Sequence, residues 1–198
     1  MGKIFFLMGK SASGKDTIYD RLLHKEGLPL LPYVGYTTRP IRAGEQDGVE
    51  YYFTTKEDLD RYKEAGKLIE SRVYHTVYGD WYYYSVDSDR VDLSRHDYLY
   101  IGTLESYVQM RDYYGADKIV PLYIELDDGL RLERALNRER QQKVPGYAEM
   151  CRRFLADSED FSEENLQKAG IKKRFENTDL DTCIEAIKQE IRETGALS

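Results

Sequence analysis

A glycine-rich loop near the start of the chain constrains the fold more than any other feature. Its residues are Gly9, Lys10, Ser11, Ala12, Ser13, Gly14 and Lys15, which have the GxxxxGK spacing. The loop joins an apolar run at residues 4–8 to a helical pattern at about 15–24. Small residues let successive backbone N–H groups curl around a phosphate at the start of a helix, while the lysine reaches the outer phosphates. The sequence therefore predicts a buried strand, a phosphate-binding loop and a helix, in this order.

The two residues after the loop lysine bear on metal binding. A Ser or Thr usually follows this lysine, but here Asp16 follows it and Thr17 comes next. Thr17 could assist Mg²⁺ through a water, and Asp16 could help to hold the metal or favour the helix dipole. We expect the loop and these two residues to bind a nucleoside triphosphate with Mg²⁺, and the phosphate acceptor to be bound by another part of the chain.

Further strands and helices alternate beyond the loop. Short apolar runs at residues 98–101 and 119–124 are each followed by a helical pattern, at 104–114 and 130–140. Strands that alternate with helices of this length imply a parallel sheet with crossover connections. A last strand at 174–177 precedes a C-terminal helix with an apolar stripe at helical spacing. The stripe consists of Cys183, Ile184, Ile187 and Ile191. The predicted fold class is α/β, with a parallel sheet core flanked by helices.

Two segments interrupt this alternation. Between residues 32 and 85, short tyrosine-rich strand patterns are separated by glycines, which predicts a small β-rich insert. One short helix is expected there at about 56–65, because Thr55 and Asp58 have the spacing of a capping box. A second segment, about 137–150, is polar and offers little that could be buried, so we expect a mobile lid.

The length of 198 residues fits one domain with these parts. The predicted organisation is a core at 1–31 and 86–198, an insert at 32–85 and a lid at about 137–150.

Charge and hydropathy exclude some classes of partner. The net charge is −7, so no global basic field attracts nucleic acid or an anionic bilayer. No apolar run reaches the roughly 18 residues of a membrane span, and the first residues lack the features of a secretion signal. We expect a cytoplasmic protein that binds small molecules and neither nucleic acid nor membrane.

The segment at residues 37–53 carries a more specific pattern. Arg39 and Arg42, flanked by proline and glycine, form with a tyrosine hydroxyl a rigid fork for a phosphate dianion. With the phosphate loop before it and Leu-Ile-Glu at 68–70 behind it, this segment resembles guanylate kinase. The resemblance spans nearly the full length. It implies a P-loop kinase fold and transfer of the γ-phosphoryl group of ATP to GMP, with Mg²⁺.

The resemblance assigns an acceptor site residue by residue. In the family, the positions that match Arg39, Arg42 and Tyr51 hold the phosphate of GMP, and Tyr82 resembles a tyrosine that joins them. Glu70 matches the carboxylate that accepts the N1 and N2 hydrogens of guanine. Adenine lacks this pair of donors, so the carboxylate selects guanine.

The resemblance continues in the second half of the chain. Arg134 and Arg138 resemble the lid arginines that grip the transferring phosphoryl group, and Arg153 resembles a third from the next helix. Phosphoryl transfer needs positive charge around developing negative charge and exclusion of water, which a closing lid with arginines supplies. Lys15 and these arginines are the expected catalytic residues, and Asn177 is expected to bind ATP near the adenine.

Three positions depart from the family pattern. Gly35 and Tyr84 stand where two hydroxyl residues usually contact guanine, and Gly102 replaces the second carboxylate of an Asp-x-Asp at 100–102. Tyr36 and Tyr84 are candidates to supply phenolic hydroxyls instead. We include Tyr84 among the acceptor-binding residues on this basis.

Two other functions stay open at this point. One is a related P-loop kinase for another phosphorylated acceptor, such as a ribose bisphosphate. Asp16 and the lost base contacts favour it, whereas the retained phosphate fork and Glu70 oppose it. The other is a non-catalytic guanylate-kinase-like module that binds partner proteins. Such modules typically degrade the phosphate loop, whereas Lys15 is retained here.

Overall fold

The chain folds around β1, which ends at the phosphate loop. The computed structural model describes residues 1–76 and 79–195. The strands are β1 (Ile4–Gly9), β2 (Leu30–Pro32), β3 (Tyr36–Thr37), β4 (Tyr52–Phe53), β5 (Leu68–Thr76), β6 (Gly79–Val86), β7 (Asp97–Ile101), β8 (Ile119–Glu125) and β9 (Arg174–Glu176). The helices are α1 (Lys15–His24), α2 (Lys56–Glu64), α3 (Leu104–Tyr114), α4 (Asp128–Arg140), α5 (Tyr147–Asp160), α6 (Glu163–Lys168) and α7 (Leu180–Thr194).

The core sheet is parallel, in the strand order β2-β7-β1-β8-β9. Phe6 of β1 lies opposite Tyr100 of β7 on one side and Pro121 of β8 on the other. Every residue of β1 is buried, as in a strand whose sheet is covered on both faces. The α/β fold class predicted from the sequence is confirmed, and the predicted core strands agree with the observed ones within one residue at each end.

Helices cover both faces of this sheet. On one face, Ile18 and Leu22 of α1 pack in a cluster with the apolar stripe of α7, all of which is buried. On the other face, Tyr107 and Met110 of α3 pack with Leu166 of α6. The expected helices at 15–24 and 104–114 have the predicted bounds.

Helix α4 begins earlier than expected. The predicted start was residue 130, but the helix starts at Asp128 because Asp127 accepts hydrogen bonds from the N–H groups of Gly129 and Leu130. An aspartate that satisfies free N–H groups in this way is a strong helix start signal, and the apolar pattern alone did not reveal it.

A second sheet lies within residues 36–86, in the order β4-β3-β6-β5. It packs with α2 around a small cluster that includes Tyr36, Leu59 and Tyr84. The predicted capping box at the start of α2 is present: Thr55 and Asp58 each accept a hydrogen bond from the other's backbone N–H.

The segment expected to be a lid consists of the end of α4, a loop at 141–146 and the first turn of α5. Nearly all of its side chains are exposed. Residues 77–78 of the predicted insert and 196–198 of the predicted core lie outside the described residues. Within the described ranges, no helix is both long enough and apolar enough to cross a membrane.

Candidate active site

Two glycines of the phosphate loop leave no room for a side chain. A Cβ atom at Gly9 would lie 2.6 Å from the carbonyl oxygen of Ile124 on β8. Gly14 has a φ of 91°, in the left-handed region, and a Cβ there would lie 2.3 Å from Nδ2 of Asn177. The loop is therefore pressed against the end of the neighbouring strand, and its shape requires glycine at both positions.

Asn177 holds the phosphate loop from the side of β9. Its side chain is buried, and its Nδ2 donates a hydrogen bond of 2.7 Å to the carbonyl oxygen of Ser13. Arg134 of α4 donates a hydrogen bond of 3.3 Å to the carbonyl oxygen of Asn177. The structure thus brings Arg134 and Asn177 to the loop. It gives Asn177 a role in fixing the loop, in addition to the ATP contact expected from the sequence.

Arg131 is a functional candidate that sequence reasoning missed. Its side chain is only 1% exposed, and it lies between α4, α5 and the phosphate loop. Nη1 donates to the carbonyl oxygen of Ser11 at 3.2 Å, and Nε donates to Asp128 at 3.0 Å. The guanidinium also lies over the ring of Phe154. A buried arginine is tolerated only when it is well paired, so these contacts fix the position of α4 relative to the loop.

Asp157 of α5 completes this connection. It accepts a hydrogen bond of 2.7 Å from the backbone N–H of Ser11, and it lies 3.5 Å from Nη1 of Arg131. Both helices that flank the predicted lid are therefore bonded to the phosphate loop. Charged surface helices carry many Arg and Asp residues. The sequence spacing therefore did not distinguish Arg131 and Asp157 from the other charged residues of α4 and α5.

The remaining loop and lid candidates are more exposed. Lys15 and Asp16 lie in the first turn of α1, with Thr17 after them, and both Asp16 and Thr17 are exposed. Arg138 is exposed in the last turn of α4. Arg153 is exposed on α5, and its Nε donates to Glu149 one turn earlier. The structure therefore places Arg134 beside the loop, and pairs Arg153 within its own helix.

Lys10 has a partner of its own. Its ammonium lies 3.2 Å from a carboxylate oxygen of Asp128 on α4. Burial acts to raise the pKa of Asp128, but Lys10 and Arg131 outweigh it and hold that pKa below its ordinary value. The side chain of Lys10 thus ties the loop to α4.

Arg39 is the most buried cation of the insert. It is 4% exposed and makes two hydrogen bonds to Glu45, of 2.7 and 2.6 Å. Its guanidinium lies 5.3 Å from the ring centres of Tyr51 and of Phe53. The Arg39 guanidinium holds the pKa of Glu45 at about 2, well below its ordinary value. Nε of Arg39 is buried and has no hydrogen-bond partner among the described residues.

Arg42 and Tyr51 lie around this pair. Arg42 is exposed, and its backbone N–H donates to Glu45 at 2.8 Å. Tyr51 packs edge-to-face against Tyr83 at a ring distance of 5.4 Å. Glu45 therefore contacts both arginines, and the ring of Tyr51 lies beside the guanidinium of Arg39. Tyr83 was not predicted.

The pairing of β5 with β6 decides which side chains share a face. In this antiparallel pair, Glu70 lies opposite Ser85, Arg72 opposite Tyr83, and Tyr74 opposite Trp81. Directly opposite residues point to the same side of a sheet. We call this side the cleft face. It consists of Glu70, Arg72, Tyr74, Trp81, Tyr83 and Ser85.

Two expected acceptor residues lie on the other side of the sheet. Tyr84 pairs with Tyr36, stacks on its ring and is 1% exposed, with its hydroxyl 2.7 Å from that of Thr54. Tyr82 packs against the same cluster, with the ammonium of Lys56 over its ring. In this register Tyr36, Tyr82 and Tyr84 therefore lie on the face opposite to Glu70, and the cleft face carries Tyr83 and Ser85.

Glu70 is buried on the cleft face. Its Oε1 accepts hydrogen bonds from Ser85 at 3.0 Å and from the hydroxyl of Tyr100 at 3.3 Å. Burial raises the pKa of Glu70 above its ordinary value, although the nearby Arg72 acts to lower it. Its other oxygen, Oε2, has no hydrogen-bond partner among the described residues. Glu70 is thus oriented by two hydroxyls, and its Oε2 lies 3.4 Å from Nε of Arg72 in a buried ion pair.

The surroundings of Gly35 and Gly102 bear on two of the three departures from the family pattern. A Cβ atom at Gly35 would lie 3.4 Å from the Tyr100 hydroxyl, so this phenol lies where a side chain at position 35 would begin. At Gly102, a Cβ would lie 2.6 Å from the ring of Phe6 and 2.8 Å from Oγ of Ser106. No carboxylate fits there, because the ring of Phe6 and the first turn of α3 already fill the space.

A cavity of about 750 Å³ lies between residues 71–74 of the edge strand β5 and the helices α3, α5 and α6. Arg72 and Tyr74 line it from β5, and Thr103 and Glu105 line it from the start of α3. Binding sites for small molecules commonly have volumes of about 300–1,000 Å³. The volume of this open cavity falls in that range, and the cleft face contributes Arg72 and Tyr74 to its lining.

Comparison with known proteins gives the following matches. Residues 1–88 match a family model described as Guanylate kinase. The guanylate kinase of Porphyromonas gingivalis is 28% identical over 194 residues, which are 96% of this chain and 97% of that protein. That of Symbiobacterium thermophilum is 44% identical over 82 residues, 41% of this chain and 36% of that protein. The crystal structure of guanylate kinase from Anaplasma phagocytophilum superposes with a TM-score of 0.67 at 18% identity, over 100% of this chain and 88% of that one.

Proposed function

Because the chain resembles guanylate kinases along its whole length, we propose that it transfers the γ-phosphoryl group of ATP to GMP and releases ADP and GDP. The observation that carries this proposal is the pairing of two sites in one molecule. A phosphate loop ends the central strand, and the insert carries a buried arginine, Arg39, and a buried carboxylate, Glu70. One site suits a triphosphate and the other suits a purine monophosphate.

The acceptor is held by its two ends. Arg39 directs a free buried Nε at the phosphate, with Arg42 and Tyr51 beside it, because Glu45 already occupies the other two nitrogens of the guanidinium. Glu70 offers Oε2, which makes no hydrogen bond among the described residues, to a donor of the base. Tyr83 and Ser85, which share the cleft face with Glu70, take the places that we first gave to Tyr82 and Tyr84.

The donor nucleotide is held by the loop. Backbone N–H groups of the loop and the ammonium of Lys15 bind its phosphates, and Arg134 reaches the same place from α4. Positive charge at this point stabilises the charge that develops on the transferring group. We assign residues 32–85 as the acceptor-binding insert and 137–150 as a lid. Closure of the lid would bring Arg138 and Arg153 closer and exclude water.

Magnesium fits this arrangement in its donor chemistry. Mg²⁺ prefers oxygen ligands and usually takes one or two from the protein and the others from phosphates and water. Asp16 and Thr17 are exposed oxygen donors next to Lys15, so they would hold the ion. Bound there with ATP, it would neutralise charge on the phosphates. We further propose that the protein acts in the cytoplasm.

Measuring the choice of base tests the proposal. With Gly35 lacking a hydroxyl, base selection should rest largely on Glu70. We expect kcat/KM for GMP to exceed that for AMP in the wild type, and the ratio to fall in Glu70→Gln, because an amide presents a donor where guanine also presents one. Release of ADP with GMP, dGMP and AMP gives both ratios. Equal use of GMP and AMP by the wild type would contradict the assignment of guanine.

A further inference from the structure

Arg72 projects from the middle of the cleft face. It lies on β5 between Glu70 and Tyr74 on the same side of the sheet, opposite Tyr83. Its side chain is 14% exposed and lines the 750 Å³ cavity. Arg72 belongs neither to the phosphate loop nor to the phosphate fork of the insert, and it is the cleft-face cation nearest to Glu70.

The guanidinium of Arg72 has one neighbour on α3 and one on β5. Nη1 donates to the hydroxyl of Thr103 at 3.3 Å, which connects the insert to the start of α3. Nε lies 3.4 Å from Oε2 of Glu70, but the two are not aligned for a hydrogen bond. Neither atom has a hydrogen-bond partner in the described part of the chain. A buried donor and a buried acceptor therefore form an ion pair without a hydrogen bond, so each keeps hydrogen-bonding capacity that a ligand can use.

Arg72 also covers Glu70. The side chain of Glu70 has no exposed surface, so a base can reach Oε2 only if the guanidinium moves aside within the cavity. The side chain of Arg72 lines the open cavity, which leaves room for this movement, and within the described residues it is held by its ion pair with Glu70 and by the hydrogen bond of 3.3 Å to Thr103. After it moves, the guanidinium still borders the edge of any base that pairs with Glu70.

The edge of guanine matches this pair of side chains. Guanine presents donors at N1 and N2, which suit the carboxylate, and acceptors at O6 and N7 directly beside them. An arginine fork is the side chain that most often contacts O6 and N7 of guanine. We propose that Arg72 donates to O6 and N7 of the acceptor guanine while Glu70 accepts from N1 and N2. This assignment rests on the proposed function and names a specificity residue within it.

Base analogues test the assignment. 7-Deaza-GMP lacks the N7 acceptor and 6-thio-GMP has a weak acceptor at position 6, while both keep the donors that face Glu70. We expect the wild type to use GMP at least about tenfold better, in kcat/KM, than either analogue. In Arg72→Lys, which keeps the charge over Glu70 but has no fork, this preference should fall to less than about threefold. Arg61→Lys, at an exposed arginine of α2, should keep it.

The outcomes separate this inference from the proposed function. A wild type that makes GDP from GMP but uses both analogues equally well overturns the role of Arg72 and leaves the guanylate kinase assignment in place. A preference that persists in Arg72→Lys, at an unchanged melting temperature, overturns it too. If the wild type makes no GDP from GMP at all, the proposed function fails, and this inference fails with it.

Discussion

The phosphate loop and the cleft face, which we propose bind the ATP phosphates and the acceptor base, are built in different ways. The loop is one continuous segment, held between β1 and α1, and it presents backbone N–H groups whose positions follow from the glycines. The cleft face is built from side chains of β5 and β6 and is completed by Tyr100 from the core sheet. The first site depends on local backbone shape, and the second on which residues of distant strands lie opposite each other.

This difference matters because strand pairing has a period of two. A shift of one residue moves every side chain of a strand to the opposite face. The pairing of β5 with β6 is irregular between Leu68 and Glu70, which is the kind of irregularity that changes the register. A shift of one residue in the pairing of β5 with β6 would therefore change which side chains form the cleft face. The shape of the loop does not depend on this pairing.

The largest expected effect concerns the loop. Lys15→Ala should lower kcat at least about a hundredfold without unfolding the protein, because it removes a positive charge from the site of phosphoryl transfer. Lys25→Ala, at an exposed lysine just past the end of α1, serves as the matched control. Steady-state kinetics and a melting curve suffice. Activity of Lys15→Ala within about tenfold of wild type shows that the loop assignment is wrong.

A smaller effect is expected from the phosphate fork of the insert. Arg39→Ala should raise KM for GMP by about tenfold or more, since loss of a hydrogen bond to a charged group costs about 1.5–3 kcal/mol. Because this variant leaves Glu45 without its partner, Arg39→Lys should be measured beside it for stability. Arg61→Ala is the control within the same insert. If KM and kcat for GMP both stay at wild-type values, Arg39 only stabilises the turn.

The register of β6 gives a sharper comparison. Tyr83→Phe should weaken GMP use several-fold, because Tyr83 lies beside Tyr51 on the cleft face, whereas Tyr82→Phe should leave it unchanged. The two variants remove the same atom from adjacent residues, so they differ only in the face of the sheet. The reverse result, with Tyr82→Phe impaired and Tyr83→Phe normal, indicates that the strand pairs one residue away from the register described here.

These two regions also differ in how much the sequence alone predicts. The loop, the parallel sheet and the capping box of α2 follow from contiguous patterns, and their bounds agree with the structure. The choice of Tyr83 and Ser85 over Tyr82 and Tyr84 depends on pairing with β5, which local patterns do not fix. Arg131 could not be selected for a related reason: its partners Ser11 and Asp157 are distant in sequence.

The smallest expected effect lies on the opposite face of the same sheet. Tyr84→Phe removes the hydrogen bond to Thr54 inside the insert. The free energy of unfolding should fall by about 1 kcal/mol, which corresponds to a decrease of about 2–4 °C in Tm for a chain of this size. kcat/KM for GMP should not change. A loss of GMP use without loss of Tm would place Tyr84 at the acceptor after all.

The central claim is that the loop and the cleft face act on one pair of substrates, ATP and GMP. Its most direct test is to incubate the wild type with ATP labelled in the γ-phosphoryl group and with GMP, AMP or a ribose bisphosphate in turn, and to identify the labelled product by chromatography. The account predicts that label appears in GDP, with far less transfer to the other two acceptors. Transfer to the ribose bisphosphate in preference to GMP, or no transfer to any acceptor, would contradict it.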